Sequence, residues 1–315
     1  MTPQENQISV INPISPAIEW VKTILFRPFD LGRWIVIGFC AWLAFLGEGG
    51  GPNFNFNFGR HEHGPSGESF HHAKEVIIEN LFWIIPVAIT ITVVSIVIGF
   101  VITWLRSRGS FMFLHCVALN KAEIVAPWHK FRKQGNSLFL FRIVVGLISF
   151  AIVMMLIAVL VVLGILMFAG GGGPNPIGVI LMVLLAICLI IPTAIIFALI
   201  GKFTRDFVVP IMFLRQGTCM AAWREFWPLL TGNKGRLTIY ILFQIVIALA
   251  VGTVILACVC ITCCCLGCIL AIPFVGTVIL LPILVFDRSY SLLYLRQYGT
   301  GYDVFSSEPA TVLAV

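Results

Sequence analysis

Six apolar runs succeed one another along the chain, at about residues 31–46, 81–105, 138–169, 177–200, 237–262 and 269–286. Each of the longer ones exceeds the roughly 18 residues that carry a helix across a hydrocarbon core. Three polar stretches between them carry a shorter, one-sided pattern centred on a tryptophan. In the clearest, Cys219, Met220, Trp223, Phe226, Trp227 and Leu230 recur at helical spacing on a single face. A paler copy has Ala17, Trp20, Val21, Ile24 and Leu25, with Ser15-Pro16 as a helix start. In the other, Ile124, Val125, Trp128 and Phe131 share a face, leaving Lys121, Lys130, Arg132 and Lys133 to the opposite side.

The copies align. Setting Trp20 on Trp223 brings Gly32-Arg33 onto Gly235-Arg236, and a two-residue gap sets Phe131 and Gly135-Asn136 on Phe226 and Gly232-Asn233. After the even-numbered runs, Arg108-Gly109-Ser110-Phe111, Arg205-Asp206-Phe207 and Arg288-Ser289-Tyr290 echo one another. The predicted fold is therefore an all-α integral membrane protein. It has six transmembrane helices and three short cytoplasmic amphipathic interfacial helices in a pseudo-threefold repeat. The units are 15–110, 111–206 and 207–298, between a disordered tail at 1–14 and a cytoplasmic tail at 299–315.

Composition agrees: 59% of the 315 residues are hydrophobic and 11% charged, whereas a soluble domain has about 45–50% and about 25%. Residues 1–15 are polar and predict no cleavable signal peptide. Charge sets orientation: 18 of the 20 Lys and Arg fall on one predicted side, leaving only Arg60 and Lys74 opposite. With the acids included, the two sides carry +9 and −3. The positive-inside rule then predicts both termini in the cytoplasm. It puts the three tryptophan segments on the same side, where their basic faces meet anionic headgroups.

Candidate chemistry is sparse. Cys258, Cys260, Cys263, Cys264, Cys265 and Cys268 cluster at the end of the fifth run. They read either as soft-metal ligands or disulfides, or as small apolar packing residues in a tight hairpin. His61, His63, His71 and His72 lie in the outer loop with Glu62 and Glu68, open to a metal-site reading or to that of a solvated loop. Asn53 to Phe58 alternates polar and aromatic at strand period, or forms a low-complexity loop. No Asp or Glu falls in the middle of a predicted run, and Arg142 is expected to snorkel from the cytoplasmic start of the third.

No paired catalytic groups, phosphate-cradling loop or nucleic-acid motif stands out, so no enzyme, cofactor or nucleic-acid partner is predicted. The expected partners are the bilayer, with anionic lipid on the cytoplasmic face, and a protein partner or second copy of the chain. The contact residues predicted for them are Trp20, Trp128, Trp223, Phe226, Trp227 and Arg236. A carrier or channel for an uncharged or lipid-like substrate, with its path between the repeated hairpins, is the alternative reading.

The stretch from Ala221-Ala222-Trp223 to Gly232-Asn233-Lys234-Gly235, ahead of a long apolar run, resembles the motif of six-span bacterial membrane families of unknown function. The run from Pro273 through Pro282 to Asp287-Arg288 is similar to their final span. Those families are distantly similar to the membrane domain found beside some glycerophosphodiester phosphodiesterases. The resemblance implies a protein of the bacterial cytoplasmic membrane and carries over no catalytic residue.

Overall fold

The computed structural model describes residues 8–47, 81–168, 176–262, 265–270 and 272–305. The described regular structure is entirely helical. A short helix α1 (Ile14–Leu25) leads to α2 (Leu31–Phe45). The long α3 (Leu81–Leu119) follows, then a single turn and a half, α4 (Val125–Lys130). Helix α5 (Arg132–Phe168) returns, and α6 (Pro176–Phe203) runs through a π-helical turn (Thr204–Val208) into α7 (Val209–Arg215). The chain ends with α8 (Cys219–Gly232), α9 (Lys234–Ile261), α10 (Cys265–Leu270), α11 (Pro273–Ile279) and α12 (Leu281–Arg296).

Of the predicted six spans, the described residues show four to five candidates. Among the described residues four helical stretches are long and apolar enough to cross a membrane, Ile85–Leu119, Arg132–Met167, Gly178–Arg215 and Lys234–Ile261. The pair Pro273–Ile279 and Leu281–Arg296 makes a fifth only if a 63° bend is counted within one span. The bend falls where Pro282 opens a new helix, because its ring and missing N–H cannot continue the previous ladder. Helix α2 has 15 residues, about 22 Å against a core of about 30 Å.

Two further expectations shift locally. Helix α1 begins at Ile14 after Pro13, and no side chain caps it, so Ser15 and Pro16 lie in its first turn. The fourth span, expected to end near Ile200, continues to Arg215. The outer loop with its histidines and Asn53–Phe58 pattern lies outside the described residues, as does the glycine turn at 170–173.

The packed interior gathers at one end. Buried side chains cluster on α1, α2, the second half of α3, the π turn, α7 and α12, with Phe131, Phe226, Leu237 and Tyr240. The outer halves of α3, α5, α6 and α9 instead present exposed Ile, Val and Leu on most faces, as lipid-solvated helices do. Close approach at the packed end needs a glycine: a Cβ on Gly109 would lie 2.6 Å from the backbone of Leu43, so α2 and α3 meet backbone to backbone.

Helix ends at the packed body are closed by specific partners. Asp30 caps α2 by accepting from the Gly32 N–H at 2.8 Å, and Thr218 caps α8 by accepting from Ala221 at 3.4 Å. Helices α3 and α7 end at Asn120 (φ 53°) and Gln216 (φ 52°), the left-handed stop that frees the chain to turn. The Arg33 guanidinium donates to the Asn120 carbonyl at 3.1 Å and to its Oδ1 at 2.6 Å. In the same way, Gln134 Nε2 donates to the Gln216 carbonyl at 3.1 Å and to its Oε1 at 3.0 Å.

Candidate functional site

Each tryptophan segment packs against the end of a long helix. On α4, Trp128 meets Trp104 edge to face at 5.7 Å, and the Arg108 guanidinium lies over both rings at 4.7 and 4.4 Å. Phe131, just beyond α4, stacks on Phe111 at 5.8 Å and 12°. On α8, Phe226 stacks on Phe207 of the π turn at 5.1 Å and 11°. Trp223 packs between Phe226 and Phe141, and its Nε1 is buried without a hydrogen-bond partner among the described residues. Helix α1 packs along α12, with Trp20 Nε1 donating to the Val117 carbonyl at 2.9 Å and its ring edge-on to Phe305.

Trp20, Trp128, Trp223 and Phe226 therefore touch protein. Trp227 and Arg236 face outward, Trp227 being 59% exposed. Among the metal candidates, Cys263 and Cys264 lie outside the described residues together with His61, His63, His71 and His72. Helix α10 opens at Cys265, and Cys268 is exposed. Among the described residues no group of three or more His, Cys, Asp or Glu converges as a metal site would require.

The structure assembles a polar centre that sequence reading passed over. Asp206 is 1% exposed, inside the helix that runs from Gly178 to Arg215. Lys202 Nζ contacts its Oδ2 at 2.8 Å, Arg205 Nε its Oδ1 at 3.3 Å, and the Tyr240 hydroxyl donates to Oδ2 at 3.0 Å. Gln244 Nε2 donates in turn to the Tyr240 oxygen at 3.1 Å. Arg288, buried on α12, donates to the Arg205 carbonyl at 2.6 Å, and Asp287 lies 4.0 Å from Lys202. Such a π turn widens the helix by one residue and is frequent at functional positions. Here it carries Arg205 and Asp206.

Beside this centre an open cleft of about 320 Å³ lies between α3, α5 and α6. Arg106 and Arg142 line it, with hydroxyls of Thr103, Ser149 and Thr204. Arg142 does not snorkel outward as expected from the sequence. It donates to the Ser107 and Ser110 hydroxyls of α3 at 3.2 and 3.3 Å. The signals that could have found this centre are the Lys202–Asp206 pair at i,i+4 and the recurrence of Arg at 108, 205 and 288.

Cys219, at the start of α8 beside this region, has its thiol pushed up to about 12 by burial, against the opposing pull of the Arg142 guanidinium. It is an inert packing thiol at neutral pH.

Long apolar helices around a packed, ion-paired end define a multi-pass helical membrane protein. The chain belongs to a family of unknown function (DUF7544), whose match spans residues 8–294. No curated protein and no solved structure matches it, and the family match carries no link to the membrane domain associated with glycerophosphodiester phosphodiesterases.

Proposed function

We propose that this chain is a non-catalytic protein of a bacterial cytoplasmic membrane that engages anionic lipid with its cytoplasmic face, both termini lying on that side. The observation that carries the reading is the outward surface of the tryptophan segments. Phe26 and Phe29 are exposed between α1 and α2 and Leu31 at the start of α2, beside Arg27 and Arg33, Val125 is exposed on the segment bearing Lys130, and Met220 and Trp227 are exposed on α8 with Arg224. Exposed apolar side chains set among basic ones suit the boundary between headgroups and acyl chains. The inward tryptophans anchor the helices, and lipid contact falls to Trp227, Arg236 and these neighbours.

A pseudo-threefold plan is part of the proposal. It is supported by the equivalent stacks Phe111–Phe131 and Phe207–Phe226. Positive-φ stops at Asn120, Gln216 and Gly299 follow Arg108, Arg205 and Arg288 by 12, 11 and 11 residues. Each surface helix packs on the end of the preceding unit, and α1 packs on α12, which closes the ring.

The test is quenching of Trp227 fluorescence, isolated by difference against Trp227→Phe, in vesicles with brominated phosphatidylglycerol or brominated phosphatidylcholine. Stronger quenching by the anionic lipid is expected. Absence of quenching overturns the reading, and a single protein that co-purifies and shields Trp227 would make the surface a docking platform instead. A C-terminal reporter found on the outer side overturns the orientation. The alternative, a carrier of an uncharged or lipid-like substrate, is favoured by one feature, the open cleft between α3, α5 and α6.

A further inference from the structure

Cys40 of α2 and Cys116 of α3, 76 residues apart in sequence, bring their sulfurs to 3.8 Å from one another. Both are fully buried at 0% exposure. The helices that carry them are fixed against each other on either side of the pair. Toward the membrane, a Cβ on Gly109 would lie 2.6 Å from the Leu43 backbone, so the two backbones touch there. On the other side, the Arg33 guanidinium of α2 donates to the carbonyl and Oδ1 of Asn120, at the end of α3, at 3.1 and 2.6 Å. The pairs 33–120, 40–116 and 43–109 run antiparallel, and the two sulfurs are clamped between the outer contacts.

Two thiols in contact need only a small movement to join, since a disulfide places its sulfurs about 2 Å apart and side-chain rotation supplies the difference. Access is the limit, because a thiol sealed among apolar groups reacts slowly. Over Cys116 the seal is the non-helical connection from α3 to α4, whose Glu123 carbonyl accepts from the Cys116 thiol at 3.6 Å. Lys121 and Glu123 in that connection are exposed. Its opening admits a small uncharged oxidant and excludes a bulky, charged one. Cys219 provides the comparison within the same chain. It is 1% exposed, and among the described residues no second sulfur touches it.

We propose that Cys40 and Cys116 form a redox modification site, a dithiol that hydrogen peroxide converts to a disulfide stapling α2 to α3. The Cys116 sulfur attacks one peroxide oxygen and the O–O bond breaks. The second oxygen leaves as water with the thiol proton, and Cys116 becomes a sulfenic acid. The Cys40 sulfur then displaces the sulfenic hydroxyl, which departs as water with the Cys40 proton, and the S–S bond forms. The two sulfurs give up two electrons, and one peroxide becomes two waters. The new bond holds α2, a helix of 15 residues, to a much longer partner. The site is independent of the lipid reading of the tryptophan segments.

Hydrogen peroxide added to the full chain in nanodiscs, followed by blocking of free thiols and non-reducing peptide mapping, tests this. The expected result is a linked pair of peptides joining Cys40 to Cys116, released by dithiothreitol, with Cys219 still a free thiol. The oxidised chain is also expected to unfold at a higher temperature than the reduced one, because the bond closes a long loop. In Cys40→Ala, peroxide leaves the unfolding midpoint unchanged. Absence of the linked pair at a peroxide dose that oxidises both thiols in the denatured chain overturns the proposal, and this arm needs no variant to fold. A link from either cysteine to a different one overturns the pairing. A rise in midpoint that persists in Cys40→Ala overturns the staple.

Discussion

Phe207 of the π turn stacks on Phe226 of α8 at 5.1 Å with rings 11° apart, and Phe111 meets Phe131 at 5.8 Å and 12° in the corresponding place after α3. Each stack fastens a surface helix to the end of a long one. Phe226→Ala removes one fastener and opens a cavity, a loss of about 3–5 kcal/mol for a buried aromatic. The expected outcome is a lower unfolding midpoint in detergent. A double-mutant cycle with Phe207→Leu should return a coupling of about 1 kcal/mol.

Asp206→Asn leaves Lys202 and Arg205 facing a neutral amide. Breaking one side of a buried ionic cluster costs about 3–5 kcal/mol, so the variant is expected to be much less stable than wild type. Lys202→Met in the same chain removes the cation nearest the neutralised side chain and should recover part of the loss. Thermal denaturation of the two variants checks the order.

Gly109→Leu drives a side chain into the Leu43 backbone, which already sits 2.6 Å from a Cβ at that position. Backbone cannot yield as a side-chain tip can, so α2 is expected to detach from α3, read as new protease sensitivity around residues 31–45. Gly235→Ala, where a Cβ meets nothing within 4 Å, is the control and should be neutral or slightly stabilising.

The Cys219 thiol is expected to resist alkylation. With its pKa pushed up to about 12, the reactive thiolate at pH 8 is about one part in ten thousand, rising about tenfold for each pH unit. Site-resolved mass spectrometry should find Cys219 unmodified in the folded protein at pH 8 and modified after denaturation. Ready labelling of the native protein would contradict its burial.

The long apolar helices were legible because lipid solvates them all round, so composition alone reveals them; α3, α5 and α9 lie where the runs predicted. The tryptophan segments were legible as helices by spacing, yet their faces were not, since Trp223 at the core and Trp227 at the surface are equally apolar in sequence. Asp206 was hidden for another reason. Next to Lys202 and Arg205 it reads as the polar end of a span, and only packing of Tyr240 and Arg288 against it turns those charges inward.

What the sequence by itself determined is the class of protein, the three short tryptophan-bearing helices and the recurrence of arginine at 108, 205 and 288, all of which follow from local spacing and composition. Only the tertiary structure decided that the last apolar run bends at Leu280 and Pro282. It also decided that Arg106 and Arg142, 36 residues apart, share one cleft. Those features depend on which charges neutralise one another across helices and how closely backbones approach, and neither is written in the periodicity of a single segment.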